Sequence, residues 1–293
     1  MEKNPIPSYD FYKDFEKSLP FEICRLENPK NLYDTDKAHR HNYYEIICFT
    51  KGSGKHFIDF KSFPVKSNSV HFISPGQVHL VRRSADSDGY VIMFTIDFYS
   101  LNLNNKDILF DLPFFNNNSS KPILSVSASQ FNVFSDVINK MNAEFFSENL
   151  NKEEILRSYL NIFLINENRL FEPEEAIKST SSSNVELVKN FNKLIEKNFI
   201  EKHKVSDYAA MLFISPGHLN ENTGKVLGKT ASELIHERLI LEIKRMLFHS
   251  NQTIDEIAFS LNFEDPAYFG RFFKKHQGTS PGSFRRDIRQ KYQ

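Results

Sequence analysis

Two groups of residues in this chain have side-chain types and spacings that could do chemistry. The first is His39-Arg40-His41-x-x-x-Glu45, followed by Gly52 and later by Pro75-Gly76-x-x-His79. Three imidazoles and one carboxylate suit a divalent Fe, Mn, Ni or Zn ion. The same side chains can instead make ordinary hydrogen bonds between strands or around a pocket. The second group is an internal repeat. Val205-x-x-Tyr208-Ala209-x-x-Leu212-x-Ile214 matches Ile254-x-x-Ile257-Ala258-x-x-Leu261-x-Phe263 at an offset of 49 residues. Beyond a turn the offset becomes 50, pairing Pro216 with Pro266, Leu219 with Phe269, Gly228 with Gly278 and Thr230 with Ser280. Each unit, about 205–228 and 253–278, reads as a short helix, a tight turn and a second helix. Ser215 or Asp265 supplies the N-cap and Pro the first helical position. Such a helix-turn-helix places the start of its second helix in a DNA major groove. Ala209 and Ala258 let the two helices approach, and Leu212 and Leu261 set their angle. Two units on one rigid connector could present reading helices about one DNA turn apart, ~34 Å.

The elements that must position these groups follow from periodicity. Between about 35 and 125, short β-branched and aromatic runs (Tyr43–Thr50, His56–Phe60, Ser69–Ile73, Tyr90–Ile96) alternate with turn residues such as Gly52-Ser53-Gly54 and Pro75-Gly76, which predicts a sandwich or barrel. From about 128 the period changes. Phe131, Phe134, Val137, Ile138, Met141 and Phe145 fall on one helical face, and Ile155, Tyr159, Ile162, Phe163 and Ile165 to Leu170 on a second. The two form a helical hairpin joined by 148–152. Small polar residues around Ser179-Thr180-Ser181-Ser182-Ser183 mark 173–184 as a flexible linker. From 185 on everything reads as helix, with one long amphipathic helix, 231–249, between the repeats. The expectation is a two-domain α+β chain: a barrel over 1–127, a hairpin over 128–172, the linker, and an all-α domain over 185–293.

Composition narrows the function. The 293 residues carry 37 basic and 37 acidic side chains, so the net charge is zero, but the balance is uneven. From Asn184 onward it is +4, and before it −4, so the C-terminal part tolerates polyanions. No run approaches the ~18 apolar residues of a membrane span, and the first twenty residues lack a signal-peptide pattern. Cys24 and Cys48 form neither a disulfide framework nor a metal-ligand pair. Cytoplasm is the expected compartment.

The blocks Leu219–Leu239, Ile254-x-Glu256-Ile257-Ala258, Phe263-Glu264-Asp265-x-x-Tyr268-Phe269-x-Arg271-x-Phe273-Lys274-Lys275 and Gly278-x-Ser280-Pro281-x-x-Phe284-Arg285 go further. Together, over 205–286, they resemble the DNA-binding domain of the AraC/XylS family of bacterial transcription regulators. Asn262 stands where that family usually has Gly in the turn; Asn is the next-best residue at positive φ, so the turn is expected to survive. The resemblance implies base-facing positions early in each second helix. In the first unit these are Gly217, His218, Asn220 and Glu221, with Lys225 nearby. In the second they are Ala267, Gly270 and Arg271, with Lys274 and Lys275 nearer the phosphates. Arg271 can bind guanine bidentately and Asn220 adenine. Glu221 can accept from cytosine N4, repel phosphate, or, like Gly217, face solvent. Arg271 can alternatively bridge to Glu264 or Asp265.

The first group resembles the two cupin motifs, the second of them compressed to Pro-Gly where the pattern has Pro-x-Gly. Cupin-like sensor domains of AraC-type regulators often keep this pattern without metal and use the barrel to hold a small effector. The resemblance implies a pocket of His39, His41, Tyr43, Glu45 and His79, with Tyr44, Phe49, Phe57, Phe60, Phe72 and Phe94 as aromatic walls or plain core. No metal and no other cofactor is expected there; a metal, if held, would sit on His39, His41, Glu45 and His79. The resulting expectation is a non-enzymatic, ligand-responsive regulator, more an activator than a repressor. It would dimerise through the hairpin, bind double-stranded promoter DNA and contact RNA polymerase. The alternative is a metal-dependent cupin enzyme whose helical tail serves assembly.

Overall fold

In the computed structural model of the chain, residues 7–11, 19–26, 37–101, 109, 112–115, 122–170 and 182–291 are described. They fall into two compact units, one within 6–172 and one from 173 onward. The two-domain α+β organisation expected from the sequence is what the chain adopts.

Ten short strands build the first unit: β1 (Ser8–Tyr9), β2 (Phe21–Arg25), β3 (His39–His41), β4 (Tyr44–Lys51), β5 (Ser53–Ile58), β6 (Lys61–Lys66), β7 (Ser69–Ile73), β8 (Val78–Arg83), β9 (Asp88–Phe94) and β10 (Ile123–Ser125). They hydrogen-bond as two five-stranded sheets, β1-β3-β8-β5-β6 and β10-β7-β4-β9-β2. Among the described residues no ladder joins one sheet to the other, so the expected barrel is open, a pair of sheets packed face to face. Alternation sorts the side chains. On β4, Ile47 and Phe49 point between the sheets beside Tyr43, Val65, Ile73 and Met93, whereas Tyr44, Ile46 and Cys48 point the other way. Both faces of β4 are buried, which is why Tyr43–Thr50 reads as a continuous apolar run and not as an alternating one.

The outward face is covered by helices. After α1 (Ile96–Ser100) come α2 (Ala128–Phe145) and α3 (Lys152–Leu170). Ser127 and Gln130 close a capping box at the start of α2. Phe131, Phe134, Ile138 and Met141 of α2 and Leu156, Leu160, Phe163 and Leu164 of α3 form one core with Ile23, Ile46, Phe72 and Phe94 of the sheet. This bears on two expectations. The hairpin face assigned to dimerisation is used inside the chain, and of the two readings open for Tyr44, Phe72 and Phe94, pocket wall or plain core, the packing gives core, the floor on which the hairpin rests.

Glu167 on α3 lies in the same region. Both of its carboxyl oxygens are buried with no hydrogen-bond partner among the described residues, and burial pushes its pKa from 4.5 up to about 8. The folded unit therefore holds a proton that the unfolded chain releases. This contribution to stability is complete below 4.5 and is lost as pH rises toward about 8. Glu167→Gln is expected to remove that slope: variant and wild type should melt alike in acid, and the variant should melt higher in alkali. Equal midpoints at both extremes would mean that the carboxyl reaches water.

The second unit comprises α4 (Ser182–Asn198), α5 (Val205–Met211), α6 (Pro216–Leu227), α7 (Ala231–His249), α8 (Ile254–Ser260), α9 (Pro266–Gln277) and α10 (Pro281–Lys291). Of the linker expected over 173–184, residues 173–181 lie outside the described residues, and 182–184 already form the first turn of α4. The repeat is visible in the backbone. Ala209 and Ala258 are buried where the paired helices meet. Phe213 and Asn262 occupy the same place in the two turns with φ of 56° and 59°. The Asn262 amide donates to the Glu201 carbonyl at 3.1 Å, so the substitution for glycine is accommodated. Gly228 and Gly278 end α6 and α9 in left-handed conformation, φ 67° and 74°, satisfying the last carbonyls as C-caps.

Candidate functional site

In the second unit the starts of α6 and α9 are built alike. Ser215 Oγ accepts from the His218 amide at 3.1 Å, and Asp265 accepts from the amides of Ala267 and Tyr268 at 2.8 and 3.0 Å. Gly217, His218, Glu221 and Lys225 of α6 are exposed, as are Ala267, Arg271, Lys274 and Lys275 of α9; Gly270 is half-buried. Asn220 differs from its expected role. Its Oδ1 accepts from the Ala231 amide at 2.9 Å, so it caps the start of α7 instead of presenting a free amide to adenine. Glu221 and Lys225 form an exposed ion pair of 2.6 Å one turn apart. The hydrogen bond from Lys225, with its charge, holds the Glu221 carboxyl below its usual value. Arg271 Nη2 lies 3.4 Å from Asp265 Oδ2, a long contact between two exposed groups. Tyr268 has 53% of its surface exposed, whereas the neighbouring Phe269, Phe272 and Phe273 are buried. Spacing carried that signal: Tyr268, Arg271 and Lys275 are i, i+3 and i+7 on one helical face.

In the first unit the sheets bring the expected histidines together. His39 on β3 is the register partner of His79 on β8, with ring centroids 4.2 Å apart. Gly76, at φ 78°, donates its amide to the His41 carbonyl at 2.8 Å, so the compressed second motif still delivers His79 to this place. Glu45 enters from β4 in the opposite sheet. His41 Nε2 lies 3.6 Å from Glu45 Oε2, His79 Nδ1 lies 4.0 Å from Glu45 Oε1, and ligand atoms of His39, Glu45 and His79 all fall within 4.8 Å of one another. All four side chains are buried. Tyr43 stacks on His41 at 4.1 Å.

Two further buried histidines belong to the cluster and were not singled out from the sequence. His56 Nδ1 is 2.9 Å from His71 Nδ1, and His56 Nε2 is 3.3 Å from His79 Nδ1. His71 Nε2 is 3.1 Å from Ser69 Oγ. Burial, with smaller contributions from neighbouring histidines, lowers His41 to about 3 and depresses His56 and His79 well below the usual value. Burial alone lowers His71 to about 3. These imidazoles are therefore neutral, each with one N–H and one lone pair. Isolated histidines on separate strands carry no spacing signal, which is why they went unnoticed. In kind, three imidazoles and a carboxylate fit a divalent transition ion.

The family comparisons coincide with the two units. A model of the AraC-like ligand binding domain matches residues 20–154, and a helix-turn-helix domain model matches 208–287. The chain belongs to the AraC family of transcription regulators. Over nearly its whole length this AraC-family chain is 24% identical to YfiF of Bacillus subtilis, an uncharacterised HTH-type transcriptional regulator, across 92% of this chain and 85% of YfiF. It is 22% identical to the HTH-type transcriptional activator RhaS of Klebsiella pneumoniae, across 97% and 96%. Identity with the bifunctional transcriptional activator/DNA repair enzyme AdaA of Bacillus subtilis is 31%, over 39% of this chain and 56% of AdaA, about half of that relative's length. No helix among the described residues of this family member is long and apolar enough to cross a membrane.

Proposed function

We propose that this chain is a one-component, sequence-specific regulator that reads promoter DNA through two helix-turn-helix units and is controlled by a signal received in its N-terminal unit. The observation that carries this reading is the duplicated geometry of α5–α6 and α8–α9. Each pair has a left-handed turn residue, a capped and Pro-initiated second helix, and exposed residues at that helix's start. Activation is the expected sign, because RhaS and AdaA are named activators. RNA polymerase contact and a homodimer complete the proposal. With the buried hairpin face committed to the sheet, dimerisation falls to its outer side, where Val133, Phe146, Leu150, Ile155, Ile162 and Ile165 are exposed.

The test uses a duplex selected from a random pool by the full-length protein, together with single-base variants at fixed salt. Arg271 is the one strong base-edge donor on the α9 face. Its partner Asp265 already accepts two backbone amides, so the guanidinium can exchange that long contact for a guanine edge. Arg271→Ala is expected to weaken the selected site by ~1–3 kcal/mol and relax preference at one or two base pairs. Lys274→Ala should weaken all sequences alike and reduce the salt slope by about 1. Equal weakening of every sequence by Arg271→Ala would make Arg271 a phosphate contact and move specificity to α6 or to DNA shape.

A further inference from the structure

A cleft of about 790 Å³ opens in the C-terminal unit, within the size range of small-molecule sites. Five aromatic rings line it and run on from one another. The ring of His203, in the loop before α5, lies 5.0 Å from that of Phe263 in the second turn. Phe263 lies 6.0 Å from Tyr268 and 5.5 Å from Phe272, both on α9. Phe272 meets His236 of α7 edge-on at 5.2 Å. Glu201, Asp207 and Glu264 border the same cleft, and Lys204 is the one Lys or Arg in its lining. Among the described residues none of these three carboxylates forms an ion pair. Asp265, also on the cleft, is already engaged by two backbone amides.

That charge runs against its surroundings. From Asn184 onward the chain is +4, a balance suited to polyanions, yet the cleft gathers carboxylates that would repel phosphate. His203 and His236 do not offset them at neutral pH, because burial lowers both below the usual value. The faces of aromatic rings attract an ammonium group within about 6 Å, and a further ring packs on such rings offset or edge-on. A neutral aromatic compound would leave the carboxylates without a counter-charge, and an anion would be repelled by them. A compound with an aromatic body and a cationic end satisfies both parts of the lining.

We propose that this cleft binds one small aromatic ammonium compound, its ring against Phe263, Tyr268 and Phe272 and its cation toward Glu201, Asp207 and Glu264. The lining comes from α5, α7, the second turn and α9, so one occupant touches both helix pairs and the connector between them. The site is independent of the DNA-reading proposal. Binding is measured without DNA, and failure of either proposal leaves the other standing.

The experiment takes the full chain with tryptamine as the probe. Because the chain contains no Trp, indole emission reports the probe alone, and its anisotropy follows binding. Saturation at one equivalent per chain is expected. Indole-3-propionate, the same ring with an anionic end, should bind at least about 10-fold more weakly. Tyr268→Ala should weaken tryptamine about 3–30-fold. Glu264→Gln should weaken tryptamine about 2–5-fold and leave the neutral 3-methylindole unchanged. Both positions are exposed, so circular dichroism of the variants should match the wild type; should one fail to fold, the other variant and the anion comparison decide. Binding that does not saturate at one equivalent, or unchanged tryptamine affinity in Tyr268→Ala, overturns the site. Equal affinity for the anion, or unchanged tryptamine affinity in Glu264→Gln, overturns the cationic ligand.

Discussion

Phe163→Asp is expected to unfold the N-terminal unit, whereas Ile162→Asp, one residue away, leaves it folded. Phe163 is 0% exposed, sits edge-on to Phe134 at 6.0 Å, and belongs to the core between α2, α3 and the outer face of the β4 sheet. Truncating a buried Phe costs about 3–5 kcal/mol. A carboxylate in its place adds several more or must be protonated. The sum is comparable with the whole stability of a domain, about 5–15 kcal/mol. Ile162 is 46% exposed, and a surface change of this kind stays within about 0.5 kcal/mol. Near-UV circular dichroism of the two variants checks the contrast. Sedimentation of Ile162→Asp tests the proposed outer dimer face: a monomer is expected, and an unchanged dimer would move the interface elsewhere. Native packing in Phe163→Asp would show that the hairpin does not rest on the sheet.

Arg238→Ala is expected to destabilise the C-terminal unit by about 3–5 kcal/mol, the cost of breaking a buried ion pair from one side. Arg238 projects from α7 with 7% of its side chain exposed, its Nε 2.8 Å from Glu196 and its Nη1 3.0 Å from Glu242. The guanidinium also lies over the Phe199 ring at 3.8 Å. Glu196 is on α4, so this residue ties the first helix of the unit to the connector that separates the two helix pairs. Removing it takes the guanidinium away from Glu196 and leaves Glu242 to Arg245, whose Nη1 lies 3.5 Å from it. Adding Glu196→Gln to Arg238→Ala should therefore recover part of the loss, with a coupling of about 0.5–3 kcal/mol. Chemical denaturation of the four proteins of that cycle measures it. A loss near 0.5 kcal/mol, typical of exposed pairs, would mean that water reaches Arg238 in solution.

Much of the C-terminal unit was legible because its signals are local. Ser215-Pro216 and Asp265-Pro266 start helices through bonds to amides two or three residues on, and Gly228 and Gly278 stop them by the conformation of a single residue. Asn262 keeps a left-handed turn for the same reason. A repeat of such signals predicts a repeat of structure with no knowledge of what lies across the core. The change of period near 128 and the pairing of His39 and His41 with Glu45 were likewise readable, since helical period and short spacing are properties of neighbours along the chain.

What the sequence could not decide was the choice among partners of equal chemistry far apart in the chain. Periodicity showed that α2 and α3 each have an apolar face but not whether that face meets another copy or the sheet, because an apolar face gives the same pattern whichever surface covers it. Asn220 reads as a base-reading amide until the start of α7 folds back and takes its oxygen. Tyr268 and Phe269 are adjacent aromatics, and only the packed helix decides which of them enters the core. His56 and His71 stand on different strands, 15 residues apart, and acquire meaning only where two sheets meet. Local signals set the elements and their ends. Tertiary packing assigned the partners, because hydrogen-bond geometry and proton position depend on separations of a few ångströms that spacing along the chain does not encode.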